Sequence, residues 1–346
     1  MTDLLTPTRV IDDVSTAAAA LKEGLLVAFP TETVYGLGVD ATNPAAVARL
    51  FKAKGRPSDN PLIVHLADFD QWPKAASEMS ESALRLMKEF SPGPITVVTR
   101  KNLQIDDAVT AGLSSVGIRI PNHHLAQSLL RKCGRPIAAP SANVSGRPSC
   151  TTWQSVLEDM NGRIDFILKG DVCRIGIEST VVDCTIAPAR LLRAGAITRE
   201  QILELLPDVA SWHSPEADGV VPSPGMRHPH YQPKAAVVLV ESISDLIQLT
   251  IDQLRHTAYA GVSFPSDERL LDEHPQLSQL MLHARFPTIE LYMREFYEFL
   301  READRKGAQK IFLQLAPASG LATALRDRQS RAAGQPTTVP QERSEN

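Results

Sequence analysis

Two short blocks near the start of the chain concentrate residue types that bind an anionic substrate. An apolar run, Leu25 to Phe29, leads directly into Pro30-Thr31-Glu32-Thr33-Val34-Tyr35-Gly36-Leu37-Gly38. Hydroxyls and glycines at the end of a strand let backbone and small polar groups approach a ligand closely. The second block, Lys52-Ala53-Lys54-Gly55-Arg56-Pro57-Ser58-Asp59-Asn60-Pro61, sets three cations and an amide around a tight turn. That composition suits a substrate with several negative charges. The C-terminal dipole of a surface helix accounts for Lys52 by itself, whereas Gly55 and Pro57 shape the backbone around Lys54 and Arg56. Together the blocks read as a nucleotide and small-acid site.

Further candidates lie downstream. Over Ser114 to Pro121, Val116, Ile118 and Ile120 share one strand face, so Ser115, Gly117 and Arg119 share the other. Arg119 there either lines a cleft, where it would grip a carboxylate or phosphate, or sits on an exposed sheet face. The Ser141-x-Asn143 turn offers a hydroxyl and a carboxamide after a buried strand, a pattern that a simple Asx or Ser turn explains equally well. Taken by itself, His65 in its apolar strand reads as a core histidine. The pair in His228-Pro229-His230 has no cysteine or acidic ligand close in sequence, so it gives weak grounds for a metal site. The chain has no G-x-x-x-x-G-K-[ST] loop, no G-x-G-x-x-G fingerprint and no G-x-S-x-G elbow. Nothing presents an activated nucleophile with its base. Catalysis would rest on positioning and on cations facing developing charge.

The elements that must hold these residues alternate between strand and helix. Asn43-Pro44 starts a helix with an apolar face through Val47, Leu50 and Phe51 to Lys54. Leu62 to Leu66, Ile95 to Thr99, Ser115 to Ile120, Ile137 to Ala139, Val181 to Cys184 and Arg190 to Arg193 read as strands. Ser80 to Phe90 and Leu125 to Lys132 read as helices, the second closed by Gly134. Thr198 to Gln201 is a capping box. This predicts a mixed α/β domain over 1–207. Residues 208–234, rich in Pro, Gly, Ser and His, read as a linker. A smaller βαβ-type domain follows over 235–332, with strands Ala236 to Val240, Tyr259 to Val262 and Lys310 to Leu315. Its helices are Leu246 to Leu254 and Met293 to Lys306, the latter closed by Gly307. Residues 333–346 read as a disordered tail.

Composition sets the outer limits. The 346 residues allow two or three domains, and 43% hydrophobic with 22% charged residues is ordinary for a soluble globular protein. A net charge of −4 argues against a protein that coats nucleic acid. Cys133, Cys150, Cys173 and Cys184 show no C-x-x-C pair or metal-ligand spacing, and read as reduced, half-buried residues of a cytoplasmic protein. No leader and no bilayer-spanning run is visible, so no membrane association is expected.

Six motifs in order make the chain resemble the threonylcarbamoyl-adenylate synthase family in its longer, two-domain form. They are Pro30 to Gly38; Lys54-x-Arg56 with Pro57 and Asn60; Ser141-x-Asn143; and Gly176-Ile177-Glu178-Ser179-Thr180-Val181-Val182-Asp183. The last two are Leu192-Arg193-Ala194-Gly195, and Ser223-Pro224-Gly225-Met226-Arg227 with His230-Tyr231. The resemblance implies a YrdC-like α/β fold, a mixed twisted sheet with helices and a large basic cavity, plus a smaller Rossmann-like α/β domain. It implies condensation of L-threonine, bicarbonate and ATP, with magnesium, into threonylcarbamoyl-AMP and pyrophosphate. A separate transferase complex would then modify the adenosine beside the anticodon of tRNAs reading codons that begin with A; at most a weak or transient tRNA contact is expected.

By the same resemblance, Thr33, His65, Arg119 and Ser179 would hold threonine, with Arg119 on its carboxylate. Arg56, Asn60, Ser115, Asn143, Thr151 and Arg193 would contact ATP, with Lys54 and Ser141 beside the phosphates and Lys54 and Arg56 serving catalysis. Tyr231 would close over the nucleotide, making the linker a lid that keeps water from a labile mixed anhydride. No side chain is expected to ligate a metal, and none stands out as the general base. Where family linkers often carry an aromatic and a basic residue, this chain has His228 and Pro229. Three rivals remain: the related carbamoyltransferase domain of hydrogenase maturation proteins, an RNA-binding module, and a regulatory threonine-binding protein. The missing C-x-x-C pair and the net charge weigh against the first two.

Overall fold

The structure is a computed structural model that describes residues 7–210 and 230–335. Its first sheet draws on β1 (Arg9–Ile11), β2 (Val27–Phe29), β3 (Gly36–Asp40), β4 (Ile63–His65) and β5 (Ile95–Arg100). It is completed by β6 (Ser115–Arg119), β7 (Ile137–Ala138), β8 (Phe166–Leu168), β9 (Thr180–Asp183) and β10 (Arg190–Arg193). The order is β1-β8-β2-β3-β7-β4-β6-β5-β9-β10, with parallel and antiparallel neighbours mixed. The helices between them are α1 (Val14–Lys22), α2 (Pro44–Lys54), α3 (Glu81–Phe90), α4 (His124–Cys133), α5 (Trp153–Met160) and α6 (Arg199–Leu205).

Strand alternation sorts the side chains between two cores. Val64, Val116, Ile118 and Val182 pack with α2, α3, α5 and α6 on one face, while Val27, Phe29, Ile137 and Leu168 pack with α1 and α4 on the other. The α1 and α4 pair covers only part of its face. Beyond it, Ile63, His65 and Arg119 are left to line a cleft.

The second sheet contains β11 (Ala236–Val240), β12 (Thr257–Val262), β13 (Leu282–Phe286) and β14 (Lys310–Gln314), all parallel, in the order β11-β14-β12-β13. Its helices are α7 (Ile251–Leu254), α8 (Pro265–Glu273), α9 (Ile289–Lys306) and α10 (Ala322–Ala332). Ala258, Ala260, Ile311 and Leu313 face α9 and α10, and Tyr259 and Phe312 face the opposite way into a smaller cluster.

Several local expectations change. Leu246 to Leu254 is not one helix but a 3₁₀ turn, Ile243–Leu246, followed by α7, because Thr250 caps a fresh start in a box with Gln253. All four cysteines are fully buried rather than half-buried, and free. Val209 still packs in the first core, and Ala210 bridges to Arg190, so both belong with the first sheet. Ala333 to Gln335 form a capping turn on α10. Most of the 208–234 linker (211–229) and the tail from 336 lie outside the described residues.

Candidate functional site

The cleft forms where β4 and β6 end side by side, with His65 paired to Arg119 in parallel register. Thr31 and Thr33 reach it from the loop after β2, Ser141 from the turn after β7, and Ser179 from just ahead of β9. Arg56 and Pro61 enter from the basic block, Arg193 from the end of β10, and His230 and Tyr231 from the far side. Three guanidinium groups therefore meet in one recess. The basic block keeps its shape because α2 stops at Gly55, whose φ of 61° only glycine adopts without strain.

Each charge has a definable setting. Arg119 Nη2 lies 2.8 Å from Glu32 Oε1, both side chains buried, but the contact is off hydrogen-bond alignment and leaves both Glu32 oxygens without a hydrogen bond. The Nδ1–H of His65 donates to Ile63 O at 3.2 Å. Burial, then the charge of Arg119, pushes the His65 pKa down to about 3, so its ring is neutral at pH 7. Arg56 braces its own turn, donating to Asn60 O at 3.1 Å and Pro61 O at 2.8 Å. Burial lowers its pKa to about 9, which leaves it charged. Arg193 donates to Ser179 twice, at 3.0 Å to the carbonyl and 3.1 Å to the hydroxyl, and Ser179 also shares a 2.8 Å bond with Thr96. Thr31 and Thr33 hydroxyls lie 2.9 Å apart.

Of the thirteen residues that the resemblance implicates, Thr33, His65, Arg119, Ser179, Arg56, Ser141, Arg193 and Tyr231 share the cleft wall. Lys54, Asn60, Asn143, Thr151 and Ser115 stand off it. Lys54 is wholly buried, and its ammonium donates to Ser141 O at 2.6 Å and to Asn143 O. Burial, then Arg56, brings its pKa to about 7. Asn143 spends its amide on Val144 O and Arg147 O. Its Oδ1 and Thr151 Oγ1 are buried without partners. Ser115 sits at the far end of β6 from Arg119, roughly 13 Å away at strand spacing.

The far wall, His230 and Tyr231, is backed by the second sheet's unit. Val34 and Ile177, from the first unit's loops, are buried in the core formed by α9 and α10, together with Tyr231. The Tyr231 ring sits 5.2 Å from that of Tyr297 and 6.0 Å from the Arg328 guanidinium, with its backbone at φ 65°. A non-glycine residue held there costs roughly 1–2 kcal/mol, which the packing must offset. His230, next to it, is half-buried with its Nε2 shielded and unpartnered; desolvation, then Arg56, lowers its pKa to about 3. Glu178 joins the units. Its carboxylate accepts from Ser149 Oγ (2.6 Å), Tyr297 OH (2.8 Å) and Arg328 Nε (3.1 Å). Burial alone would raise its pKa, yet Arg328 and Arg193 hold it below the usual carboxylate value.

Thr31, Glu178 and His230 line the wall although sequence reasoning assigns them no part in substrate binding. Glu178 stood inside a quoted motif, one residue from Ser179, and His230 stood in the His-Pro-His pair. Tyr297 and Arg328 carried no signal, because their partner is more than a hundred residues away in sequence.

The family described as Telomere recombination matches residues 19–195, and the family described as Threonylcarbamoyl-AMP synthase, C-terminal domain, matches 197–334. Threonylcarbamoyl-AMP synthases of Pyrococcus abyssi and Bacillus subtilis are each 39% identical to this chain. The alignments span 92% of this chain and 93% of the first relative, and 94% and 96% for the second. P. abyssi Sua5 complexed with L-threonine superposes with a TM-score of 0.85 at 36% identity, covering 95% of this chain and 98% of that one. A P. abyssi Sua5 variant with a histidine and a tyrosine replaced by alanine gives 0.83 at 35% identity, over 94% and 96%. The two-part α/β architecture expected from the sequence is thus the fold of its solved relatives.

Proposed function

The chain belongs to the threonylcarbamoyl-AMP synthase family, and from that membership we propose how its cleft serves the reaction. The protein is a threonylcarbamoyl-AMP synthase, joining L-threonine, bicarbonate and ATP with release of pyrophosphate. The observation that carries the site assignment is the convergence of Arg56, Arg119 and Arg193 on one recess beside a neutral histidine.

In this reading Arg119 grips the threonine carboxylate, and Thr33, His65 and Ser179 shape the pocket around the amino acid. The neutral threonine amine attacks the carbon of bicarbonate, a C–O bond breaks, and the departing hydroxide takes the amine proton as water, which leaves an N-carboxylate. A carboxylate oxygen then attacks the α-phosphorus while the bond to pyrophosphate breaks. Two anions must approach each other, so Arg56 and Arg193 offset the repulsion, with Ser141 beside the phosphates. Lys54 acts from behind the wall: its ammonium fixes the Ser141–Asn143 turn by two carbonyls. Asn60 and Asn143 brace the turns at the nucleotide end, Asn143 Oδ1 and Thr151 Oγ1 are left unpartnered to meet ATP, and Ser115 would meet only a substrate reaching along β6. His230 and Tyr231 cover the recess and exclude water from the mixed anhydride.

Magnesium is expected with ATP, but the wall does not offer it a protein site. Glu178 is the one carboxylate lining the cleft among the described residues, and its oxygens already accept from Ser149, Tyr297 and Arg328. An ion there would be held by the phosphates, and no step is routed through a protein-bound metal. A separate transferase complex would consume the product on tRNA, with at most a transient tRNA contact here, and a cytoplasmic setting would fit that use of the product. No helix among the described residues is long and apolar enough to cross a membrane.

The test is pyrophosphate release from ATP and magnesium, with L-threonine and bicarbonate added separately and together. Release that requires both supports the assignment. Release without either, or threonine binding with no release, would overturn it.

A further inference from the structure

We propose that Glu178 is a positioning residue through which the second unit sets the threonine end of the cleft, an inference that rests on the functional reading above. The geometry is a continuous chain of buried polar contacts. Tyr297 on α9 and Arg328 on α10 are fully buried, and both donate to one oxygen of Glu178. Arg328 also ties down the far end of the same segment, donating to Ala194 O at 2.8 Å. Between those anchors lies the part that reaches the substrate. Ser179 follows Glu178 directly, and Arg193 precedes Ala194 and bonds both the carbonyl and the hydroxyl of Ser179.

Two features show that this segment is held rather than merely touched. The carboxylate's other oxygen accepts from Ser149 of the first unit, so one oxygen is tied to each unit and the group has no freedom to turn. Gly176, two residues upstream, lies so close to α9 that a Cβ would sit 2.4 Å from Arg294 Cα. A buried carboxylate with this much invested in one orientation determines where its neighbour's side chain points. Shifting α9 and α10 relative to the first sheet would therefore move Ser179 and Arg193 together. The second unit thus contributes to substrate recognition even though neither Tyr297 nor Arg328 lines the cleft.

The experiment compares the full-length wild type with Tyr297→Phe and Glu178→Gln. L-Threonine affinity is read by calorimetric titration, KM for ATP by pyrophosphate release, and thermal stability by unfolding. Tyr297→Phe removes one hydroxyl and keeps the ring against Tyr231. The expected result is L-threonine affinity weakened about five- to tenfold in both variants, as for loss of one charge-assisted hydrogen bond. KM for ATP, which feels the change only through Arg193, should rise by a clearly smaller factor than the loss of L-threonine affinity. Unchanged threonine affinity in both variants overturns the proposal. So does an equal loss for both ligands that tracks a lower melting temperature, since that is the mark of a clasp that only holds the units together. A wild type that binds no L-threonine would instead sink the functional reading, and the proposal with it.

Discussion

At the scale of single residues, the site works by placing charges in a dry recess and keeping its histidines out of the charged state. Arg119 sits on the face that strand alternation assigned to it, at the end of β6, with Glu32 as its buried counter-ion. Arg119→Lys keeps the charge but loses the planar fork, so L-threonine affinity should fall about tenfold to a hundredfold while ATP binding changes little. Calorimetric titration checks this, and wild-type affinity would refute it. The histidines give a second prediction. His65 and His230 have pKa values near 3 when folded and about 6.5 when unfolded. Between those values the unfolded chain binds more protons, so stability is full above pH 6.5 and declines as pH falls towards 3. Each histidine adds up to about 1.4 kcal/mol per pH unit to that decline. Denaturant midpoints at pH 7, 5.5 and 4 should show it, and His65→Gln should flatten the slope; an unchanged slope would count against the neutral, buried assignment.

At the scale of elements, local signals were legible where they end or start a helix or alternate along a strand. Asn43-Pro44 and Gly55 bound α2, the Thr198–Gln201 box starts α6, and Gly307 closes α9, all as their chemistry requires. Elements defined by their neighbours were not legible. Gly36 and Gly38 look like loop residues, yet β3 is a full strand because β2 and β7 supply ladders on both sides. Helix α10 carries buried Asp327, Arg328 and Gln329, so its apolar pattern is too weak to announce it. The site splits the same way. Hydroxyls, glycines and cations near the chemistry were visible, whereas the support from Tyr297 and Arg328 depends on pairings that no local spacing encodes. Gly176 marks one such approach, with φ at 83° and α9 backbone where its Cβ would be. Gly176→Ala should destabilise the protein by about 3 kcal/mol. A denaturation midpoint equal to wild type would show that the helix yields easily.

At the scale of the whole molecule, the two units are bound by more than surface contact. Arg301 on α9 is buried, and it reaches Asp159 at 3.0 Å and 3.1 Å as well as Pro148 O and Cys150 Sγ in the first unit. Ser155 and Glu298 add a 2.7 Å bond, and Arg305 pairs across to Glu158. Removing one member of a buried ion pair costs about 3–5 kcal/mol. Arg301→Met should fall near the lower end, because Arg147 still pairs with Asp159. The wild type should unfold in one calorimetric transition, and two resolved peaks would mean that the units melt independently. The cores themselves are interleaved, with Val34 and Ile177 seated among the side chains of α9 and α10. That interleaving bears on how such a protein can be recombined. A chimera that takes its first unit from one relative and its second from another would pair a plug with a socket shaped for a different plug. To stay functional, the graft would have to carry the 30–35 and 175–179 loops with the second unit, so the effective exchange unit is discontinuous in the gene.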